Sequence, residues 1–538
     1  MKKKLLCLSL ICFLVIALYG CAHEHVYQSE VTNPTCLEQG YTTYTCECGD
    51  TYKEDYKEAL GHNYVNNVCD RCGDTIIGLL YEFVEGEGYY VAGIGTITDN
   101  QVTIPNVYEN EYVVGIKEAA FKDCSSLTSV IIPETVKKIG DEAFRNCSSL
   151  TSIDIPSSVT KIGFAAFCEC SALTSVVIPN SVENMGRSVF AECTNLTSVT
   201  ISNSIKILES NLFHNCIKLT DVVIPNGVTG INEAVFADCK ALESITIPNS
   251  VTYISRRAFQ QCTALKTVTF EEECKINEID DSAFAGCSSL TTITIPGKNC
   301  KIQEEAFAYC GALETVEILD GVVRIGELAF AGCKALKTIS IASTVVDIQK
   351  SAFKNCEALT DVIFKENSQL TTIKELAFEN CRALKTIVIP KSVTTIERLA
   401  FSYCVSLETI IFEENSNLTT FGERVFQSAG LQTIVIPNKI TQLEKGLFYG
   451  CSALVNVTIP SSVTEIGYSA FEGCTALTSL VIPTSVKTIT SGVFTDCELL
   501  TIYCKASSKP SGWSDNWNMY KAGSISHKYC EVVWGYKG

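Results

Sequence analysis

Two short cysteine pairs carry the spacing in this sequence best suited to chemistry: Cys46-Glu47-Cys48-Gly49 and Cys69-Asp70-Arg71-Cys72-Gly73. A glycine directly after each pair permits the tight turn by which backbone amides reach thiolate sulfurs, so both pairs read as metal knuckles. The first expectation is zinc held tetrahedrally by Cys46, Cys48, Cys69 and Cys72, with Cys36 or His62 as substitutes. One pair is C-x-C rather than C-x-x-C. A disulfide-stapled module with an odd cysteine left over is therefore the competing reading. Residues 22–75 hold these five cysteines and His23, His25 and His62, but too few aliphatic residues for a core. Covalent or metal bonds must hold such a segment together.

That module is preceded by an address. The chain opens Met1-Lys2-Lys3-Lys4 and runs apolar over residues 5–18, a charged region and then a hydrophobic one too short to span a bilayer comfortably. It ends in Leu18-Tyr19-Gly20-Cys21, which resembles the bacterial lipobox. The resemblance implies a lipoprotein signal peptide over residues 1–20 and lipid attachment at Cys21. Residues 21–76 then form a Cys/His-rich spacer, and the protein is extracytoplasmic, lipid-anchored at the bacterial cell surface. Acyl chains at about 0.8 kcal/mol per buried methylene would make that anchor firm. The 42 Lys and Arg against 60 Asp and Glu leave a net charge of -18. Phosphate backbones are held by surplus basic charge, so a nucleic-acid partner is excluded.

The remainder is one repeat. Seventeen of the 24 phenylalanines, from Phe121 and Phe144 to Phe471 and Phe494, recur mostly 23 residues apart. Three steps are 25 residues long, at Phe259 to Phe284, Phe353 to Phe378 and Phe401 to Phe426. In residues 127–147, Leu127, Val130 and Ile132 should face inward from a strand that Pro133 ends. Val136 and Ile139 turn the chain, and Ala143-Phe144 bury the opposite wall. Such a unit cannot bury its apolar side alone, so neighbouring units must stack into a solenoid with one continuous core. A cysteine follows sixteen of these phenylalanines by three residues, with Ala429 in the remaining place. Because alanine fits there, these cysteines read as buried thiols acting as small apolar residues, with a disulfide ladder as the minor alternative. Cys504 and Cys530 lie off the ladder and are candidates for a C-terminal disulfide.

The spacing C-x-x-L-x-x-[IV]-x-[IV]-P-x-x-V-x-x-I-x-x-x-A-F, sustained over residues 110–505, resembles the BspA-like leucine-rich repeat family of bacterial surface proteins. The resemblance implies a right-handed leucine-rich-repeat solenoid, β-rich α/β, with a short strand plus a helical turn in each coil of 22–25 residues. It also implies display outside the cell and adhesion to host proteins, cells or other bacteria. The solenoid should occupy residues 116–505 in about 17 repeats, between a β cap at 77–115 and a Trp-rich cap at 506–538. Trp513, Trp517 and Trp534 all fall in that last segment. They read as a cap, with carbohydrate stacking as the sharper alternative.

Positions that alternate with the buried ones should point outward on a concave sheet. Thr386, Thr409 and Thr433 belong to an almost unbroken row of hydroxyls. Ile363, Val388, Ile411 and Val435 form an aliphatic stripe beside it in four consecutive coils. That face carries no aromatic residue, which favours an extracellular protein or cell-surface ligand over glycans. His214 reads as a surface residue, and Glu271-Glu272-Glu273 and Glu413-Glu414 as solvated loops. No phosphate loop, metalloprotease helix or nucleophile elbow is present, so the expectation is a binding protein and not an enzyme. Surface self-assembly and glycan binding are the alternatives.

Overall fold

Strict alternation in the Leu-x-x-Val-x-Ile segment makes a first strand in every coil but that of residues 150–155. Ser244–Ile247, Thr292–Ile295 and Thr386–Ile389 each read exposed, buried, exposed, buried. Copies of this strand pair in parallel and in register, as in Ser244↔Thr267 through Ile247↔Phe270. A second strand of two to four residues follows the turn, such as Tyr253–Ile254. Ten of these, from Ile207–Leu208 to Thr420–Phe421, form one parallel ladder. The computed structural model describes residues 25–36, 38–60, 64–65, 68–73, 78–95, 97–521 and 527–538. Cys21, His23, His62 and the whole of residues 1–20 lie outside the described residues. The chain divides into two units, residues 1–76 and 77–538, and the second is a right-handed-type solenoid of about 18 turns.

The expected helical turn is not formed: among the described residues there is no α-helix. The reason lies in two left-handed residues flanking each core phenylalanine, two positions before and two after. Around Phe144 they are Glu142 (φ 52°) and Asn146 (φ 58°), and around Phe353 they are Ser351 (φ 56°) and Asn355 (φ 63°). A residue in that region cannot continue a right-handed helix. The backbone amides instead alternate. Ala143 and Arg145 bond within the turn, to Gly140 and Glu142 carbonyls, while Phe144 and Asn146 donate to Ala166 and Cys168 of the next coil at 2.7 and 2.8 Å. The turn region is thus a third inter-coil ladder, and the fold is a β-solenoid throughout.

Stacking at strand spacing sets the core. The sixteen successive ring pairs from Phe121–Phe144 to Phe471–Phe494 have centroids 4.9–6.0 Å apart and planes within 25° of parallel. This distance is the 4.7–4.9 Å separation of neighbouring strands with a small offset, which suits aromatic quadrupoles. The ladder cysteines are more than filler. Cys147 Sγ donates to the Phe121 carbonyl at 3.0 Å, and Cys262, Cys356 and Cys497 do the same to Phe236, Phe330 and Phe471. Cys124, in the first coil, has no earlier phenylalanine to reach and is part-exposed. No disulfide ladder forms, because these thiols are free and turned toward carbonyls.

Both solenoid ends are closed by strands. Leu80–Val84 pairs antiparallel with Gly88–Gly93, which runs parallel to Glu111–Ile116 and through it continues into the second-strand ladder at Lys138–Ile139. Gln101–Thr103 extends the first-strand ladder at Ser129–Ile131. At the other end Glu531–Trp534 pairs with Thr501–Cys504. Trp517 meets the last ring of the stack, Phe494, edge-on at 6.3 Å, and Trp513 Nε1 donates to the Val486 carbonyl at 3.3 Å. The proposed Cys504–Cys530 disulfide is not formed. Cys504 faces Trp534 across the strand pair, whereas the Cys530 thiol points to the Cys497 carbonyl.

Candidate functional site: the first-strand face

The four stripe residues are exposed, as their alternation requires: Ile363 by 50%, Val388 by 43%, Ile411 by 44% and Val435 by 67%. Thr386 and Thr433 are exposed beside them and Thr409 is half-buried. The stripe does not lie on one smooth sheet. Val388 pairs with Ile411 in register, but Ile363 ends a six-stranded sheet and Val388 begins a separate four-stranded one. Between Thr409–Phe412 and Thr433–Val435, only Thr409↔Thr433 remains paired.

These two interruptions fall at lengthened coils. In an ordinary coil the first strand ends in Ile-Pro, as at Ile247-Pro248. In the three 25-residue coils it ends in Phe270-Glu271, Phe364-Lys365 and Phe412-Glu413. Three residues past each phenylalanine the chain turns through a left-handed residue: Glu273 (φ 57°), Asn367 (φ 58°) and Asn415 (φ 59°). After each lengthened coil the next first strand is held at one residue or none, Thr267↔Thr292 being the only pair in the first case. Three further gaps, between Ser129–Ile131 and Ser175–Val177, before Ser244–Ile247 and before Ser479–Ile482, occur without an insertion. Two extra residues therefore suffice to pry successive strands apart, though they are not the sole cause of a gap.

Two of the lengthened coils open into clefts. The larger, about 730 Å³, lies where Ile411 and Phe412 face Val435 and Pro437, rimmed by Glu413, Asn415 and Lys439. Lys439 Nζ donates to Asn417 Oδ1 at 2.6 Å, tying one rim residue to the lengthened coil. The second, about 570 Å³, contains Phe270, Thr294 and Pro296. Phe270 and Phe412 correct the expectation of a face without aromatic residues. Both rings are half-buried at the strand ends and line the clefts. The signal that locates them is the 25-residue step combined with loss of the usual proline.

The carboxylates beside these rings have structural partners. Glu413 Oε2 accepts the Lys391 amide at 2.9 Å and Glu271 Oε2 accepts the Asn249 amide at 3.0 Å, each capping the preceding coil. His214 lies at the surface with Nδ1 3.4 Å from Glu192. Of the three tryptophans, Trp513 and Trp517 are buried and Trp534 is half-buried, which leaves no pair of open indole faces for a sugar.

The four knuckle cysteines do not meet at one point. Cys46 and Cys48 gather with His25, and Cys69 and Cys72 gather with Cys36. Strand register separates them: Tyr27↔Cys46 is one end of the Tyr27–Thr32 pairing and Thr32↔Tyr41 the other. Burial first, and the Cys69 and Cys72 thiols next, push the Cys36 thiol up to about 12.

The repeat geometry is matched by known proteins. The model of the BspA type leucine rich repeat region matches residues 99–220, 206–337, 300–429 and 394–510. The chain belongs to this family. It is similar to a leucine-rich repeat protein from Bacteroides ovatus, with 28% identity and a TM-score of 0.56 over 76% of this chain and 94% of that one. It is also similar to a leucine rich cell surface protein from Faecalibacterium prausnitzii, with 29% identity and a TM-score of 0.42 over 71% and 93% of the two chains. No curated protein matches this chain. Within this chain's BspA-type repeats, three coils are lengthened and two of them open into clefts.

Proposed function

We propose that this protein is an extracytoplasmic adhesin that takes an apolar segment of a protein partner on its first-strand face. One observation carries the reading: exposed Ile411 and Val435 flank a cleft of about 730 Å³ where the sheet is pried open. That volume accommodates a large apolar side chain, and neighbouring Thr386 and Thr433 offer hydroxyls to the backbone of an extended segment. Display outside the cytoplasm rests on Met1-Lys2-Lys3-Lys4, the apolar run after it and the lipobox-like Cys21.

The test is binding of the chain from Ala22 onward to matrix proteins, whole cells and glycans, beside a variant carrying Ile363→Glu, Val388→Glu, Ile411→Glu and Val435→Glu. Side chains this exposed should alter folding stability by no more than about 0.5 kcal/mol each. Affinity for protein or cells should fall more than tenfold, as when a charge enters an apolar contact. Glycan binding retained in the variant would move the function to the Trp-rich end. Self-association without any ligand would replace adhesion by surface assembly. Separately, Cys21→Ala should shift the protein from the membrane fraction to the medium, and unchanged membrane association would remove the anchor.

A further inference from the structure

The described residues of the unit 1–76 form almost no apolar interior. Among its described residues the buried apolar side chains are Cys36, Cys46 and Cys69 alone, and Thr51–Lys57 is exposed at every position. What the fold does bring together is thiols and a ring nitrogen. His25 stands two residues before Tyr27, whose pairing with Cys46 carries the imidazole to the C-x-C turn, with Nδ1 3.3 Å from Cys48 Sγ. Cys36 lies in the connection between Thr32 and Gly40, at the far end of the same strand pair, with Sγ 3.5 Å from Cys69 Sγ.

Both knuckle turns have the geometry that positions sulfur donors. The Gly49 amide donates to the Cys46 carbonyl at 2.8 Å and the Gly73 amide to the Cys69 carbonyl at 2.9 Å. Each glycine is left-handed, at φ 91° and 76°, with open space where a Cβ would be, so conformation and not crowding requires it. In each group the three donor atoms lie within 4.8 Å of one another. A sulfur separation of 3.5 Å is far beyond the roughly 2.05 Å of a disulfide. Tetrahedral zinc, with bonds of about 2.0–2.3 Å, sets its nitrogen and sulfur donors about 3.3–3.8 Å apart.

We infer that this unit binds two zinc ions at separate sites, one on His25, Cys46 and Cys48 and the other on Cys36, Cys69 and Cys72. One ion cannot serve both, because the five steps of about 3.4 Å along the six-residue strand Tyr27–Thr32 place the groups on the order of 17 Å apart. Soft thiolates with one imidazole select zinc over the oxygen-seeking calcium and magnesium. Each group supplies three of the four donors a tetrahedral ion takes, and zinc would supply cohesion that the missing core does not.

The experiment is zinc content of the reduced full chain by elemental analysis, for the unaltered protein and for Cys36→Ser, Cys48→Ser and Cys356→Ala. Two ions per chain are expected, falling to one in either of the first two variants and remaining two in the third, whose thiol belongs to the solenoid. One ion per chain that survives Cys36→Ser would overturn the proposal in favour of a single four-cysteine centre. No zinc, with these cysteines oxidised on thiol counting, would overturn it in favour of disulfides. Should either serine variant unfold the unit and release everything, X-ray absorption at the zinc edge of the unaltered chain decides. Between two and three sulfur neighbours per zinc support two mixed sites, and four refute them.

Discussion

Cysteine plays opposite parts in the two units of this chain. In the solenoid, Cys262, Cys356 and their equivalents beyond the first coil are buried beside stacked rings, and each thiol donates to a carbonyl of the preceding coil. In the N-terminal unit, Cys46 and Cys48 gather with His25, and Cys36, Cys69 and Cys72 with one another. The difference follows from what else is available to bury. Where a phenylalanine stack provides a core, a thiol is a small apolar group with a weak donor. Where the described residues bury little else, the zinc sites proposed above would make the same side chain a means of cohesion.

The largest expected effect separating these roles is in alkaline solution. Burial pushes the Cys147, Cys451 and Cys497 thiols up to about 12, and raises Cys193 and Cys239 well above the ordinary thiol value. Folded pKa values raised above the unfolded value near 9.0 give stability that is complete below pH 9 and lost as pH climbs toward 12. Each such thiol contributes about 1.4 kcal/mol per pH unit in that window, so several together make a steep fall. Urea melts of the solenoid should be nearly superimposable at pH 7 and 8 and sharply weaker at pH 10. A flat profile to pH 10 would mean the ladder thiols are not held protonated.

Phe307→Ala should come next, costing about 3–5 kcal/mol by removing one ring from the stack and leaving a cavity. Its two ring contacts are at 5.2 and 5.3 Å, to Phe284 and Phe330. The readout is the denaturation midpoint of the solenoid, with zinc content as the control that the N-terminal unit is untouched. Cys333→Ala should cost less, about 1–2 kcal/mol, because the Phe307 carbonyl loses the thiol at 3.2 Å but keeps the Cys310 amide at 3.4 Å. A loss as large as that for Phe307→Ala would assign the thiol a packing role equal to the ring's. The smallest effect is a gain: Ala429→Cys restores a donor toward the Phe401 carbonyl and should stabilise by about 0.5–1.5 kcal/mol in the same melts.

Much of the fold was legible in the residues because a repeat reports its own periodicity. Leu127, Val130 and Ile132 are buried as read, and the seventeen phenylalanines form one stack. The helical turn was expected from the family resemblance, and the residues Asp-Glu-Ala-Phe-Arg-Asn carry no local signal against it. Its left-handed residues at Glu142 and Asn146 come from amides shared between coils, an interaction no single unit contains. The exposed stripe was legible from alternation, while the cleft across it was not. The 25-residue steps were visible, but their consequence depends on how the next strand docks.

The sequence by itself determined that the chain is a stack of like coils, which residues face inward and which of them form the exposed row, because side-chain alternation is local chemistry repeated. Only the tertiary structure decided that the cysteine pairs part company to opposite ends of a strand pair. It alone decided, too, that the ladder thiols seek carbonyls and that lengthened coils pry the sheet open at Ile411 and Val435. Each of those outcomes depends on the register between segments distant along the chain, and register is set by hydrogen bonds that form only when the strands meet.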